Sequence, residues 1–227
     1  MKQRARLPSE ERRRAIVEAV RGVFAQKGFH GTKTRELAKA AGVSEALIYK
    51  HFPSKKSLYA AMLDASAQGP AFEQFNRILG LEPSVATLVV MVHFTIAHYA
   101  HNQDANKIAM NTLMARSLLE DGEFARLTYE KFAAVWRRKF VACLKQAVKS
   151  GDLEAQALRG DLGMWFVQHV GFSLMLHRRP ELAVIQYKTS MDGLIEQASY
   201  FALRGLGLKE AVIGRHYNAK VFALLAG

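Results

Sequence analysis

Between Thr34 and Phe52 the chain carries residue types suited to non-covalent recognition rather than to making bonds. Leu37, Ala38 and Ala41 share one helical face, Gly42 follows, and Val43, Leu47, Ile48 and Phe52 share a second face. Ala38 stands where two helices would cross closest. Gly42 stands where the chain must turn at positive φ, which glycine does without steric cost. Ser44 then offers a hydroxyl to the free amides of the next helix. Two short helices joined in this way make a helix-turn-helix, whose second helix enters the DNA major groove while the first braces it from the phosphate backbone. The same spacing also fits a plain αα-hairpin.

Bond-making chemistry has little support elsewhere. The sequence has no Gly-rich phosphate loop, nucleophile elbow or His-Glu-x-x-His pattern, and Cys143 sits among apolar neighbours. His98 and His101 share a helix face, but His93 lies on another side and no acidic residue of that helix joins them, so no metal site is expected. Neither enzymatic activity nor a cofactor is predicted.

From Phe24 to Phe52 the chain reads F-x-x-x-G-F-x-G-T-x-T-x-x-L-A-x-A-A-G-V-S-x-x-x-I-Y-x-H-F, followed by Pro53, Ser54 and Lys55. Over about residues 9 to 60 it resembles the N-terminal DNA-binding domain of the TetR family of one-component bacterial transcriptional repressors. Beyond that stretch the resemblance rests on length and helical character. It implies that Glu45, Ala46 and Leu47 open the reading helix, with Tyr49 and Lys50 one turn on. Lys50 suits guanine O6 and N7, and the methyl of Ala46 suits thymine. Glu45 departs from the basic or small residue expected there. It either accepts from a cytosine amino group or simply favours its helix N-terminus. Thr34, Ser44, Tyr49, His51 and Lys55 are the expected phosphate contacts, Thr34 and Lys55 at helix N-termini. The tail residues Lys2, Arg4 and Arg6 either enter the adjacent minor groove or remain a solvated arm.

The charge balance agrees with a nucleic-acid partner. Of the net +12, residues 1–60 hold 14 Lys and Arg against 5 Asp and Glu, leaving 18 against 15 for the rest. A basic head on a nearly neutral body is the footprint of a nucleic-acid binder. The single Cys143 excludes an internal disulfide and fits a reducing compartment. No apolar run follows the basic N-terminus, so no signal peptide is expected, and Val85 to Ala100 is too short to span a bilayer. A cytoplasmic protein without a membrane partner is predicted.

These residues need a scaffold, and the periodicity predicts an all-α one. Ser9 is expected to cap a first helix with the apolar stripe Ile16, Ala19, Val20, Val23 and Phe24, ended by Gly28. A fourth helix is predicted from Lys55 to Gln68, lacking a capping box because Ser57 stands where an acidic residue is usual. Further helices are predicted at Ala71 to Leu79, Val85 to His101, Ala105 to Glu120, Glu123 to Lys149, Asp161 to Arg178, Leu182 to Leu206 and Lys209 to Leu225. No linker composition separates them. The expected division is a helix-turn-helix DNA-binding domain over 1–60 and a larger helical effector-binding and dimerisation domain over 61–227. Leu162 to Leu176 is apolar on most sides and needs cover from two directions, so a homodimer is expected through 161–178 and 182–206.

A two-fold dimer would present two reading helices to a palindromic operator. A ligand that favours the wrongly spaced arrangement would release the DNA. Phe94, His98, Met110, Met114, Trp136, Trp165, Phe166 and His169 are the candidates for a largely apolar effector site, with plain core as the competing reading. The other possibilities are a nonspecific nucleoid-type protein and an all-α small-molecule binder without operator specificity.

Overall fold

In the computed structural model, the structure describes residues 8–66, 70–101, 105–153, 161–178, 182–218 and 222. Twelve α-helices are found among them: α1 Ser9–Gly31, α2 Thr34–Ala41, α3 Glu45–His51, α4 Lys55–Ser66, α5 Pro70–Gly80, α6 Val85–Ala100, α7 Ala105–Leu119, α8 Glu123–Thr128, α9 Ala134–Lys149, α10 Leu162–Arg178, α11 Met191–Gly205 and α12 Glu210–His216. The all-α expectation holds, with an isolated antiparallel bridge between Leu153 and Leu208. Among the described residues no helix is long and apolar enough to cross a membrane. The tail residues Lys2, Arg4 and Arg6 lie outside the described residues.

By packing, the chain forms two compact units that are not contiguous in sequence: residues 1–69 with 103–131, and residues 70–102 with 132–227. The first joins α1 to α4 with α7 and α8. Ile16, Val17, Val20 and Phe24 of α1 are buried, as are Leu37, Ala38, Ile48, Phe52, Leu58 and Met62. Tyr59 sits at the centre of an aromatic set. Its ring lies 4.5 Å from Phe24, 4.8 Å from Phe29 and 5.3 Å from Phe124, each meeting it edge-on. Burial pushes the Tyr59 phenol up, with help from the nearby Asp121 carboxylate, and its hydroxyl has no hydrogen-bond partner.

Two predicted helix starts need correction. Ser9 is not the cap of α1; Pro8 occupies that position, its carbonyl accepting from the Arg12 amide at 3.0 Å, and no side chain caps the helix. At α4 a capping box is present after all. The Ser57 amide donates to Ser54 Oγ at 3.0 Å, and Ser57 Oγ accepts from the Ser54 amide at 3.1 Å. Ser57 thus does the work expected of a longer acidic side chain, and its hydroxyl also donates to the Ser54 carbonyl at 2.7 Å.

In the second unit α6 is the central element, packed by α5, α9, α10, α11 and α12. Leu88, Val89, Met91, Val92 and Ile96 are wholly buried, which is why this helix reads as apolar all round. Gly171 of α10 permits a close crossing, since a Cβ there would stand 3.3 Å from Ile96 Cα and from the Thr95 carbonyl oxygen. The predicted helix over 123–149 is instead α8, a π-helical turn at Tyr129–Ala133, and α9. The one predicted over 182–206 begins only at Met191. Ser190 caps it by accepting from the Gly193 amide at 3.1 Å, and residues 182–190 are non-helical. The last predicted helix begins as α12 and breaks at Tyr217, whose backbone is extended; residues 219–221 and 223–225 of that prediction lie outside the described residues.

Candidate nucleic-acid interface

Helix α2 ends at Gly42, which adopts φ +65° and donates its amide to the Lys39 carbonyl at 3.2 Å, while the Val43 amide reaches the Ala38 carbonyl at 3.0 Å. Ser44 Oγ then accepts from the Leu47 amide at 3.2 Å and starts α3. Because Ile48 and Phe52 are buried, the opposite face of α3 must point to solvent. Glu45, Ala46, Tyr49 and Lys50 are all exposed there, with Leu47 and His51 half-buried. A neutral methyl, a carboxylate, a phenol and an ammonium on one exposed face can meet the edges of bases as well as phosphates.

Three residues expected at phosphates, Thr34, Tyr49 and Lys55, have partners within the head. Thr34 Oγ1 and the Tyr49 hydroxyl lie 3.0 Å apart, joining the start of α2 to α3. Lys55 Nζ donates to the Phe29 carbonyl at 2.8 Å and the Thr32 carbonyl at 3.0 Å, and sits 4.6 Å from the centroid of the Phe29 ring. Sequence reasoning passed over Phe29 and Thr32 in this role, although both stand in the F-x-G-T run of the motif. Arg13 lies over the Phe52 ring at 4.8 Å. Glu36 accepts from the Lys33 amide at 3.1 Å and pairs with Lys27, and the Lys27 contact foremost holds its carboxyl below the usual range.

The α7–α8 hairpin and the π-helical turn after it grip the same head. His30 Nε2 meets Asp121 at 2.9 Å, Lys56 meets Glu123 at 2.7 Å, Lys131 pairs with Asp64, and Arg116 donates to the Gln26 carbonyl. Lys56 first, then Arg126, hold the Glu123 carboxyl low. Each exposed pair is worth at most about 1 kcal/mol. Their value lies in tying α1 and α4 to one hairpin.

A model of bacterial regulatory proteins, tetR family, matches residues 16–62. The chain is also 30% identical over 157 residues to the nucleoid occlusion factor SlmA of Marinomonas sp., covering 68% of this chain and 74% of SlmA. The chain belongs to the tetR family. Among solved structures, Salmonella enterica GusR superposes with a TM-score of 0.62 at 21% identity, covering 88% of this TetR-family chain and 97% of GusR. The transcriptional regulator FadR from Bacillus subtilis, solved with stearoyl-CoA, gives 0.59 at 17% identity, over 85% and 98% of the two chains. Like other TetR-family members, the chain is a helix-turn-helix transcriptional regulator with a small N-terminal DNA-binding head and a larger C-terminal helical domain.

The residues proposed from sequence for an effector site separate into three groups. In the second unit of this TetR-family protein Phe94 and Trp136 have ring centroids 5.5 Å apart, and Phe94 and His98 5.9 Å. Phe75, not foreseen, stacks on Trp136 at 4.9 Å, and Trp165 packs half-buried against the same core. Phe166 and His169 lie exposed on the outer side of α10, away from the buried face of that helix. Met110 and Met114 belong to α7 in the first unit. Nearby, His93 Nδ1 and the Tyr217 hydroxyl lie 2.8 Å apart, and burial holds the imidazole pKa down to about 4. Burial likewise pushes the Cys143 thiol up. Among the described residues no group of three or more His, Cys, Asp and Glu could hold a metal ion.

Proposed function

We propose that this TetR-family regulator binds a palindromic operator as a homodimer through α3 and is released from it by a small, largely apolar effector held in the second unit. The observation that carries the proposal is the exposed face of α3. Glu45, Ala46, Tyr49 and Lys50 are exposed on a helix whose opposite face is anchored by Ile48 and Phe52. Lys50 pairs with a guanine, Ala46 touches a thymine methyl, and Ser44, Thr34, Tyr49 and His51 meet phosphates. Dimerisation is supported by apolar side chains left uncovered on α10 and α11, namely Leu162, Phe166, Leu176 and Phe201. The cluster of Phe75, Phe94, Trp136 and His98 is the proposed effector contact. FadR holds a fatty-acyl ligand in a similar fold.

An effector that binds the released state more tightly lowers operator affinity by that difference, and operator must lower effector affinity by the same factor. Selection of bound fragments from random duplex DNA tests the reading. A shared palindrome is expected, with Lys50→Ala relaxing the choice of base at one position per half-site by about 1–3 kcal/mol. The similarity to SlmA, which extends well beyond the head, favours a second reading as a nucleoid-associated DNA binder. That reading predicts equal, steeply salt-dependent affinity for all sequences and no enriched palindrome.

A further inference from the structure

Lys55 opens α4, yet its ammonium faces back toward the end of α1. The helical path of α1 breaks at Gly28 (φ +69°, ψ −178°), which frees the carbonyls that follow from regular helical pairing. Thr32 Oγ1 takes up the Gly28 carbonyl at 2.6 Å, and Lys55 takes up those of Phe29 and Thr32. The Phe29 ring covers the ammonium from another side, and the same ring packs against Tyr59 of α4. A positive charge is favoured here, at the negative end of the α1 dipole. Two of the three N–H groups are therefore committed to the α1–α2 turn, and the aromatic face takes part of the remaining charge.

We infer that Lys55 is a positioning residue of the DNA-binding head, acting through the α1–α2 turn to set the angle of α2 and α3 against α4, and not a phosphate contact. The inference rests on the proposed reading of α3 as the helix that reads bases. It replaces the expectation that Lys55 neutralises backbone charge. A phosphate contact contributes to every DNA sequence alike and adds about 0.9 to the slope of log affinity against log salt. A residue that sets the angle of α3 contributes chiefly where α3 must meet particular bases, and leaves that slope unchanged.

The test compares the full-length protein with Lys55→Met, which keeps the stem against Phe29 and removes the charge, and with Lys55→Arg, which can again reach both carbonyls. Affinity is measured for the selected palindrome and for a scrambled duplex across a salt series, at a temperature where all variants are folded. Lys55→Met is expected to lower the ratio of specific to nonspecific affinity about tenfold, as loss of charged hydrogen bonds would, at unchanged salt slope, with partial rescue by Lys55→Arg. A slope flattened by about 0.9 with equal loss on both duplexes identifies a phosphate contact and overturns the inference. A lower thermal midpoint with the affinity ratio intact identifies a merely stabilising residue and overturns it too. Should the wild-type protein bind both duplexes equally, the operator reading fails before any substitution is made, and this inference falls with it.

Discussion

Gly22 and Gly28 lie six residues apart on α1, and the same substitution at each is expected to act in opposite directions. Gly22 is exposed on regular helix with nothing within 4 Å of an added Cβ. Alanine there removes backbone freedom from the unfolded chain and should stabilise by about 0.5–1 kcal/mol. Gly28 has φ +69° and ψ −178°, a region that residues with a Cβ enter only under strain of about 1–3 kcal/mol. A Cβ there would also run into the Glu120 carboxylate, with Oε1 at 2.9 Å and Cδ at 3.0 Å. Glu120 is exposed and its carboxylate is the far end of a flexible side chain, so it can swing aside at little cost. Gly28→Ala should therefore cost about 1–3 kcal/mol, nearly all of it backbone strain, or several degrees in thermal midpoint. Urea unfolding followed by circular dichroism checks both variants, the midpoint moving at constant m-value. Trimming Glu120 to alanine as well should recover little of the loss, because the backbone strain at Gly28 remains. Shifts of the same sign at Gly22 and Gly28 would refute the argument from the dihedral angles.

Ser57→Ala removes one half of the α4 capping box and should lower stability by about 1 kcal/mol in the same unfolding assay, whereas Ser57→Glu should retain it. The folded-state pKa of His93 lies near 4, below the unfolded value of 6.5, so the folded form prefers the neutral ring. Its contribution is complete above pH 6.5 and is lost as pH falls towards 4, amounting to at most about 3 kcal/mol. Replacing His93 and Tyr217 together by phenylalanine should flatten stability between those pH values; an unchanged slope in unfolding measured across that range would exclude His93 as the group responsible.

The head was legible in the sequence because its determinants are local. Gly42, Ser44, Ile48 and Phe52 each act on residues within a turn or two, so spacing alone predicts which side of α3 is anchored. The α4 capping box goes against residue type: a serine at the third helical position, where an acidic residue is usual, is near enough to reach the Ser54 amide. Periodicity could not reveal the π-helical turn at Tyr129–Ala133, since apolar residues continue on both sides of it. Nor could it show that 182–190 is non-helical, where Leu182, Val184 and Ile185 mimic a continuing stripe. Least legible was the packing of the residues expected around an effector. Phe166 and Trp165 are neighbours of similar character on a helix apolar on most sides, and only contacts with α6 and the rest of the core decide that one packs inward and the other faces out. Met110 and Met114 fall in the other unit because residues 103–131 pack with the head, a long-range choice that no local pattern carries.

That discontinuity bears on how such a protein could be recombined. The chain passes between its two packing units three times, at residues 69–70, 102–103 and 131–132. A chimera joined at a single point near residue 60 would transplant α2 and α3 without α7 and α8, stripping Tyr59 of Phe124 and Lys56 of Glu123. On the proposed reading of α3, specificity is therefore better exchanged by replacing side chains on its outer face than by swapping the head as a cassette. A substitution in residues 105–131 therefore acts on the packing of the head as well as on its own helix.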